Sequence, residues 1–161
     1  MIDTLIIYGS AENTGFEQSI LTYFTRGLSL KGHRFQIVRL DDQTSYQAAC
    51  IANYQEIVFI CALEHGLPAK TLQVGLMRLV TLIQNESVAD IANPAEALVI
   101  TYSPESTWAI KRHYGNLMRQ PQLTQLFTAL KIKKQRWLNL GKIEAKSQRQ
   151  KSLFLEGFLL P

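Results

Sequence analysis

An α/β domain with a parallel sheet and helices on both faces is the fold class this sequence predicts. Three observations predict it. Short apolar runs rich in β-branched residues alternate with stretches of helical periodicity. The loops after the first, third and fourth of these runs are polar and full of turn residues. The composition, 47% hydrophobic and 19% charged over 161 residues, suits one globular domain spanning residues 1–161, with a proper core.

The elements follow in order. Asp3 to Tyr8 (DTLIIY) reads as a strand, and Gly9-Ser10-Ala11-Glu12-Asn13-Thr14-Gly15 as a polar loop. A helix opens at Phe16: Phe16, Ile20, Tyr23, Phe24 and Leu28 form one apolar face, and Lys31-Gly32-His33 ends it. Arg34 to Leu40 alternates like a strand, and a weak helix follows at about Tyr46 to Asn53. Glu56 to Cys61 (EIVFIC) is apolar enough for burial on both faces. Ala62 to Ala69 reads as a loop, with Pro68 suited to the first turn of the next helix. That helix carries Leu72, Leu76, Leu79, Val80 and Ile83 on one face. Ala97 to Tyr102 (ALVITY) is a fourth strand, and Ser103 to Thr107 a polar turn. A helix from about Trp108 to Arg119 would turn Ile110, Tyr114 and Leu117 inward; Pro121 kinks or restarts it. Arg136 to Ile143 is a fifth strand, and Ser147 to Leu160 a final helix weakened by Gly157.

Ligands on parallel sheets of this kind bind beyond the carboxyl ends of the strands. Three loops should therefore converge: Gly9–Phe16, Ala62–Pro68 and Ser103–Trp108. The first leads into a helix N-terminus, where unpaired N–H groups and the positive dipole end favour an anion such as phosphate. It is neither a Walker loop nor a GxGxxG fingerprint.

Charge and cysteine usage narrow the setting. The formal charge is +4, and residues 131–161 carry eight Lys/Arg against two Asp/Glu. The cations are interleaved with apolar residues, so the basic segment reads as a solvated face rather than a nucleic-acid surface. Cys50 and Cys61 lie in apolar surroundings, as buried thiols of a reducing, cytoplasmic protein do. No signal peptide is expected, because Asp3 stands where a basic region should be. No apolar run reaches the ~18 residues that a bilayer requires, so no membrane partner is expected. The three histidines are scattered without a Cys/His cluster, so no metal site is expected, and His33 and His113 read as surface residues. The apolar clusters Leu153-Phe154-Leu155 and Phe158-Leu159-Leu160 must pack on the domain or on a partner.

Three stretches carry a family likeness: IIYGSAENTGFEQSIL, ICALEHGLPAKTLQVGLMRLV and ALVITYSP. Over about residues 2–143 the chain resembles the flavodoxin-like NADPH-dependent FMN reductases, which include many quinone and azo reductases. The resemblance implies a flavodoxin-like three-layer sandwich with a five-stranded parallel sheet of order 2-1-3-4-5. It implies FMN held without a covalent bond, NADPH or NADH as reductant, and a small-molecule electron acceptor such as a quinone or free flavin. It further implies a homodimer or tetramer. Carried over by position, Ser10, Glu12, Asn13, Thr14, Gly15 and Phe16 would form the phosphate loop. Leu63, Glu64, His65 and Gly66 would line the flavin ring, and Ser103, Thr107 and Trp108 would stand in the third loop. His65 would be the catalytic group, protonating a reduced acceptor at the flavin face.

The chain departs from the family pattern at four points, one of them a C-terminal part that is short and basic. Glu12 stands where a phosphate-friendly residue is usual, His65 replaces a tyrosine, and Ser103 to Trp108 replaces a glycine-rich stretch. Trp108 on an amphipathic helix is expected in the core, with stacking on a ring as the alternative. Other functions compete. A flavodoxin-like domain that has lost FMN would act as a non-catalytic binding or regulatory module. A single-electron carrier is usually acidic, and +4 argues against it. A nucleic-acid binder would use Lys131 to Lys151 and lose affinity steeply with salt. A receiver domain is set aside, because Gly9-Ser10 and Ala62-Leu63 stand where it needs acidic residues.

Overall fold

The computed structural model describes residues 3–9, 15–40, 51, 53–85 and 94–160. Strand β1 (Asp3–Tyr8) leads into helix α1 (Gly15–Leu30) and strand β2 (Arg34–Arg39). Strand β3 (Glu56–Glu64) is followed by the two-residue strand β4 (Leu67–Pro68) and helix α2 (Lys70–Asn85). Strand β5 (Glu96–Tyr102) precedes helices α3 (Thr107–His113) and α4 (Pro121–Ala129). Strand β6 (Lys134–Leu140) and helix α5 (Gln148–Glu156) complete the chain, with a 3-10 turn at Gly157–Leu159.

The main sheet has the order β2-β1-β3-β5-β6, and every neighbouring pair in it is parallel. This is the expected order, since β5 and β6 are the fourth and fifth predicted strands. The addition is β4, which pairs antiparallel with the end of β3. Because side chains alternate along a strand, the sheet builds two cores. Leu5, Ile7, Ile57, Phe59 and Val99 face α2 and α4. Ile6, Val58, Ile60, Leu98 and Ile100 face α1 and α5. Ile57 to Cys61 are buried without a break, as the apolar run predicts.

The structure corrects four expectations. The segment 62–69 is not a loop: β3 runs on to Glu64 and turns back as a hairpin, so Pro68 lies in β4 rather than in the helix. The helix expected to reach Arg119 stops at His113; Gly115 adopts φ +83°, and a separate 3-10 turn spans Leu117–Arg119. Trp108 is 65% exposed and Tyr114 40%, so neither is a core residue. His33 is half-buried, whereas His113 is exposed as expected. The weak helix at 46–53 and Cys50 fall almost wholly or wholly outside the described residues. Pro121 restarts the chain as the first residue of α4, and Ser147 caps α5 in a reciprocal capping box with Gln150.

The C-terminal segment packs on α1. Phe24 and Phe158 meet edge to face with centroids 5.6 Å apart. A Cβ at Gly27 would run into the Phe158 carbonyl oxygen. Alanine would favour the helix by about 1 kcal/mol, but overpacking against backbone costs about 1–3 kcal/mol. Gly27→Ala is therefore expected to destabilise the protein by about 1–2 kcal/mol in urea unfolding.

At the amino end of the sheet a polar row crosses the strands, with Glu56, Glu96 and Lys134 in register on β3, β5 and β6. The Thr4 hydroxyl donates to Glu56 (3.2 Å), and the Lys134 ammonium donates to Glu96 (2.7 Å). Burial raises the pKa of Glu56 above the usual carboxylate value, against the pull of Thr4 and Arg136. A raised folded-state value means that ionised Glu56 works against folding above that value. The penalty fades as pH falls through it and is absent below the unfolded value. Glu56→Gln should thus be more stable than the parent at pH 7, with the difference vanishing below about pH 4. Thermal unfolding across that range is the measurement.

Candidate functional site

The carboxyl ends of β1, β3 and β5 open toward the first turn of α1, the β3–β4 hairpin and the loop before α3. At the first of these, a Cβ on Gly15 would meet nothing within 4 Å among the described residues. Phe16 packs edge to face on Tyr102 at the end of β5, with centroids 5.4 Å apart. Glu17 is buried in the same first turn, a negative side chain at the positive end of the helix. Gly9 needs no ligand to explain it: a Cβ there would meet the Leu40 carbonyl oxygen and the Leu72 side chain. Ser10, Glu12, Asn13 and Thr14 lie outside the described residues.

The second region is the hairpin. His65 and Gly66 both adopt positive φ, +50° and +74°. That is the twist of a two-residue type I′ turn, for which glycine is the natural second residue. Gly66 lies against the Tyr114 ring, which a side chain at 66 would strike. His65 is exposed. Its Nδ1 lies 3.3 Å from the Tyr114 hydroxyl and 3.6 Å from Glu105 Oε1. Leu63 is 1% exposed and belongs to the α2-side core, so it supports the hairpin from below rather than lining its surface. Glu64 is exposed.

The third region is held from beneath by β6. Asn139 Oδ1 accepts from the Thr101 hydroxyl (2.8 Å), while Nδ2 donates to Ser103 Oγ (3.1 Å) and Thr107 Oγ1 (2.9 Å). The Trp137 indole N–H donates to Thr101 Oγ1 (2.8 Å), and the Ser103 hydroxyl donates to the Glu105 carbonyl (2.8 Å). Thr101 and Ser103 are fully buried, so Ser103 serves the loop's framework. A Cβ on Gly141 would meet the Glu105 carbonyl oxygen and the Thr107 amide, each at 2.8 Å. Ser106 caps α3 by accepting from the Ala109 N–H (3.1 Å). Trp108 stands out on α3, with the Arg112 guanidinium 5.0 Å from its ring centre. Glu105 Oε2 is buried without a hydrogen-bond partner among the described residues.

The structure thus brings His65 and Gly66 from the second loop against Glu105 of the third and Tyr114 at the end of α3. Thr107 is anchored in the loop's framework and Trp108 is displayed on its outer side. Glu105, Tyr114 and Asn139 are the residues that reading the sequence missed. An asparagine inside the strand RWLNLGKI was the visible signal, since an interior strand amide calls for partners. Cys61 takes no part: burial pushes its thiol well above the usual range, with the Glu17 carboxylate adding to the shift. Among the described residues no three His, Cys, Asp or Glu side chains cluster to hold a metal ion.

No protein-family model matches the sequence, and no curated protein matches it. Solved structures do match, over nearly the whole chain. The NAD(P)H:quinone oxidoreductase from Methanothermobacter marburgensis aligns with a TM-score of 0.76 at 15% identity, over 98% of this chain and 94% of that one. An NADPH-quinone reductase from P. pentosaceus aligns at 0.70 and 10% identity, over 99% and 96%. A flavodoxin from Pseudomonas aeruginosa aligns at 0.59 and 16% identity, over 98% and 97%. At such identities the likeness is one of fold, and the fold is flavodoxin-like.

Asn139→Ala would leave the buried Thr101 hydroxyl without its acceptor and remove the donor to Ser103 and Thr107. It should lower stability by about 2–4 kcal/mol and speed amide hydrogen exchange at residues 103–107. Asn139→Asp keeps the acceptor and loses both donors, so exchange should rise there too.

Proposed function

We propose that this protein is an FMN-dependent NAD(P)H oxidoreductase that passes electrons to a small acceptor such as a quinone or free flavin. The observation that carries the reading is the meeting of His65, Glu105 and Tyr114 at the carboxyl end of the sheet, on a fold shared with structures named as quinone reductases. Ligands bind at this end of such sheets. The described residues fit the group: the N–H groups of the first turn of α1 suit a phosphate, and the hairpin meets Glu105 and Tyr114 at the same end of the sheet, where a ring would lie.

FMN, when bound, supplies the ring that takes a hydride from the nicotinamide and hands electrons on. The protein's part is binding, orientation and protons. The first-turn N–H groups of α1, with Ser10, Asn13 and Thr14, offer donors to the phosphate. A carboxylate ~5 Å from a phosphate charge is repelled by about 3 kcal/mol at an effective dielectric of ~20, so Glu12 in that loop weighs toward the alternative below. His65 holds a proton at the acceptor face. The Tyr114 hydroxyl and the Glu105 carboxylate orient its Nδ1, leaving Nε2 for the acceptor. The exposed Trp108 ring offers an apolar face to the acceptor or the nicotinamide.

The alternative is a flavodoxin-like module without FMN. The Tyr114 ring over Gly66 favours it, because it covers the hairpin from the side of the third loop.

The test is an absorbance scan of the purified protein before and after FMN is added and the excess removed. Retained flavin bands, followed by NADPH oxidation with a quinone, are the expected result; a protein that stays colourless sinks the reading and leaves the module. In the loaded protein His65→Asn, a residue that tolerates positive φ, should keep FMN and lower turnover about tenfold or more. Unchanged turnover would remove His65 from the mechanism.

A further inference from the structure

The sheet face that α1 and α5 cover is not closed at the amino ends of its strands. α5 spans nine residues and buries only Leu155, so the lower part of β6 stays open on that side, with Leu138 exposed. A cavity of about 640 Å³ occupies the gap, a size usual for small-molecule sites. It lies at the end of the sheet opposite His65 and the third loop. Its apolar wall is Phe24 and Leu28 of α1, Leu98 of β5, Leu138 of β6 and Phe158.

Its polar wall carries both signs. Glu56 and Glu96 stand side by side in register. Arg136 Nη2 is 3.8 Å from Glu56 and 3.9 Å from Glu96, near enough for attraction but too far for a hydrogen bond. Its donors are thus not consumed by either carboxylate. Lys31 and His33, from the turn after α1, line the same cavity. Nδ1 of His33 is buried with no hydrogen-bond partner among the described residues. Each carboxylate accepts a hydrogen bond, Glu56 from Thr4 (3.2 Å) and Glu96 from Lys134 (2.7 Å), and keeps further acceptor sites.

This wall discriminates by charge. A simple anion drawn to Arg136 and Lys31 meets Glu56 and Glu96. A simple cation drawn to the carboxylates meets Arg136 and Lys31. A molecule with an ammonium and a carboxylate on neighbouring atoms satisfies both sets and leaves its apolar part for Phe24, Leu98 and Leu138. We propose that this cavity binds a small zwitterion with an apolar body, of the free α-amino acid class. The partly buried Glu56 carboxylate, whose pKa is raised by desolvation, has most to gain from an added ammonium.

The experiment is a titration of the full ¹⁵N-labelled chain with phenylalanine, leucine and tryptophan, and with 3-phenylpropionate and 2-phenylethylamine as singly charged analogues. At least one amino acid should give saturable amide shifts at Glu96, Leu98 and Leu138. Both analogues should bind about tenfold more weakly or worse. Leu138→Trp, a filling substitution at a position 44% exposed, should abolish the shifts. Arg136→Met should turn the preference toward 2-phenylethylamine, an inversion that mere loss of structure would not produce. The proposal is overturned if no amino acid saturates by about 10 mM. It is equally overturned if an analogue binds as tightly as phenylalanine, or if Leu138→Trp binds unchanged. These resonances lie away from the flavin loops, so the result is independent of FMN.

Discussion

The amide of Asn139 ties β6 to the stretch 101–107, which lies 32 to 38 residues earlier in the chain at its three partners. Its oxygen takes the Thr101 hydroxyl at the end of β5, and its nitrogen reaches Ser103 and Thr107 on either side of the loop. An amide has two donors and two acceptor sites, and here both ends are engaged beneath a buried segment. Leaving such groups unpaired in a low-dielectric interior is costly. The loop therefore has one satisfactory geometry, which places Glu105 beside His65 and starts α3 at its Ser106 cap. Gly141 allows this closeness, because the Glu105 carbonyl and the Thr107 amide occupy the room of a side chain.

Below that node the two ends of the sheet have different characters. At the carboxyl end, strained and polar elements converge: a type I′ turn with a histidine at φ +50°, a buried polar network, and a short helix displaying Trp108. Backbone strain and buried polar groups tend to collect where a fold handles a ligand. At the amino end, the row of Glu56, Glu96 and Lys134 crosses three strands above a gap that a nine-residue α5 is too short to cover. One sheet thereby carries two polar regions about a strand's length apart, with the double core between them.

Much of this was legible in the residues. The i, i+4, i+7 pattern of α1 and the unbroken apolar run of β3 are strong local signals, and both elements formed where they pointed. The β3–β4 hairpin was not legible. His65-Gly66 is not one of the common turn pairs, and Leu67–Pro68 is too short to show alternation. The early end of α3 escaped because Tyr114 keeps the helical spacing, while its ring is drawn instead onto Gly66, a contact between residues far apart in sequence. The loop positions around Glu64, His65 and Trp108 could be named from their order along the chain. Their partners Glu105 and Tyr114 could not, since a contact between residues far apart in the chain leaves no mark in a single sequence, and Asn139 showed itself only as a strand-interior amide in want of partners.

The seating of Phe158 on Phe24 and Gly27 bears on how the chain is made. A ribosome releases α1 early, with its apolar stripe of Ile20, Leu21, Phe24 and Leu28, but Phe158 is nearly the last described residue to be added. At about 5–20 residues per second Phe24 waits on the order of ten seconds for its Phe158 partner. Such early-to-late contacts slow folding, because a long loop must close before they form. Through that interval the nascent chain offers a sticky helix to chaperones or to neighbouring chains, so the timing of translation joins sequence and solvent in deciding the yield of native protein.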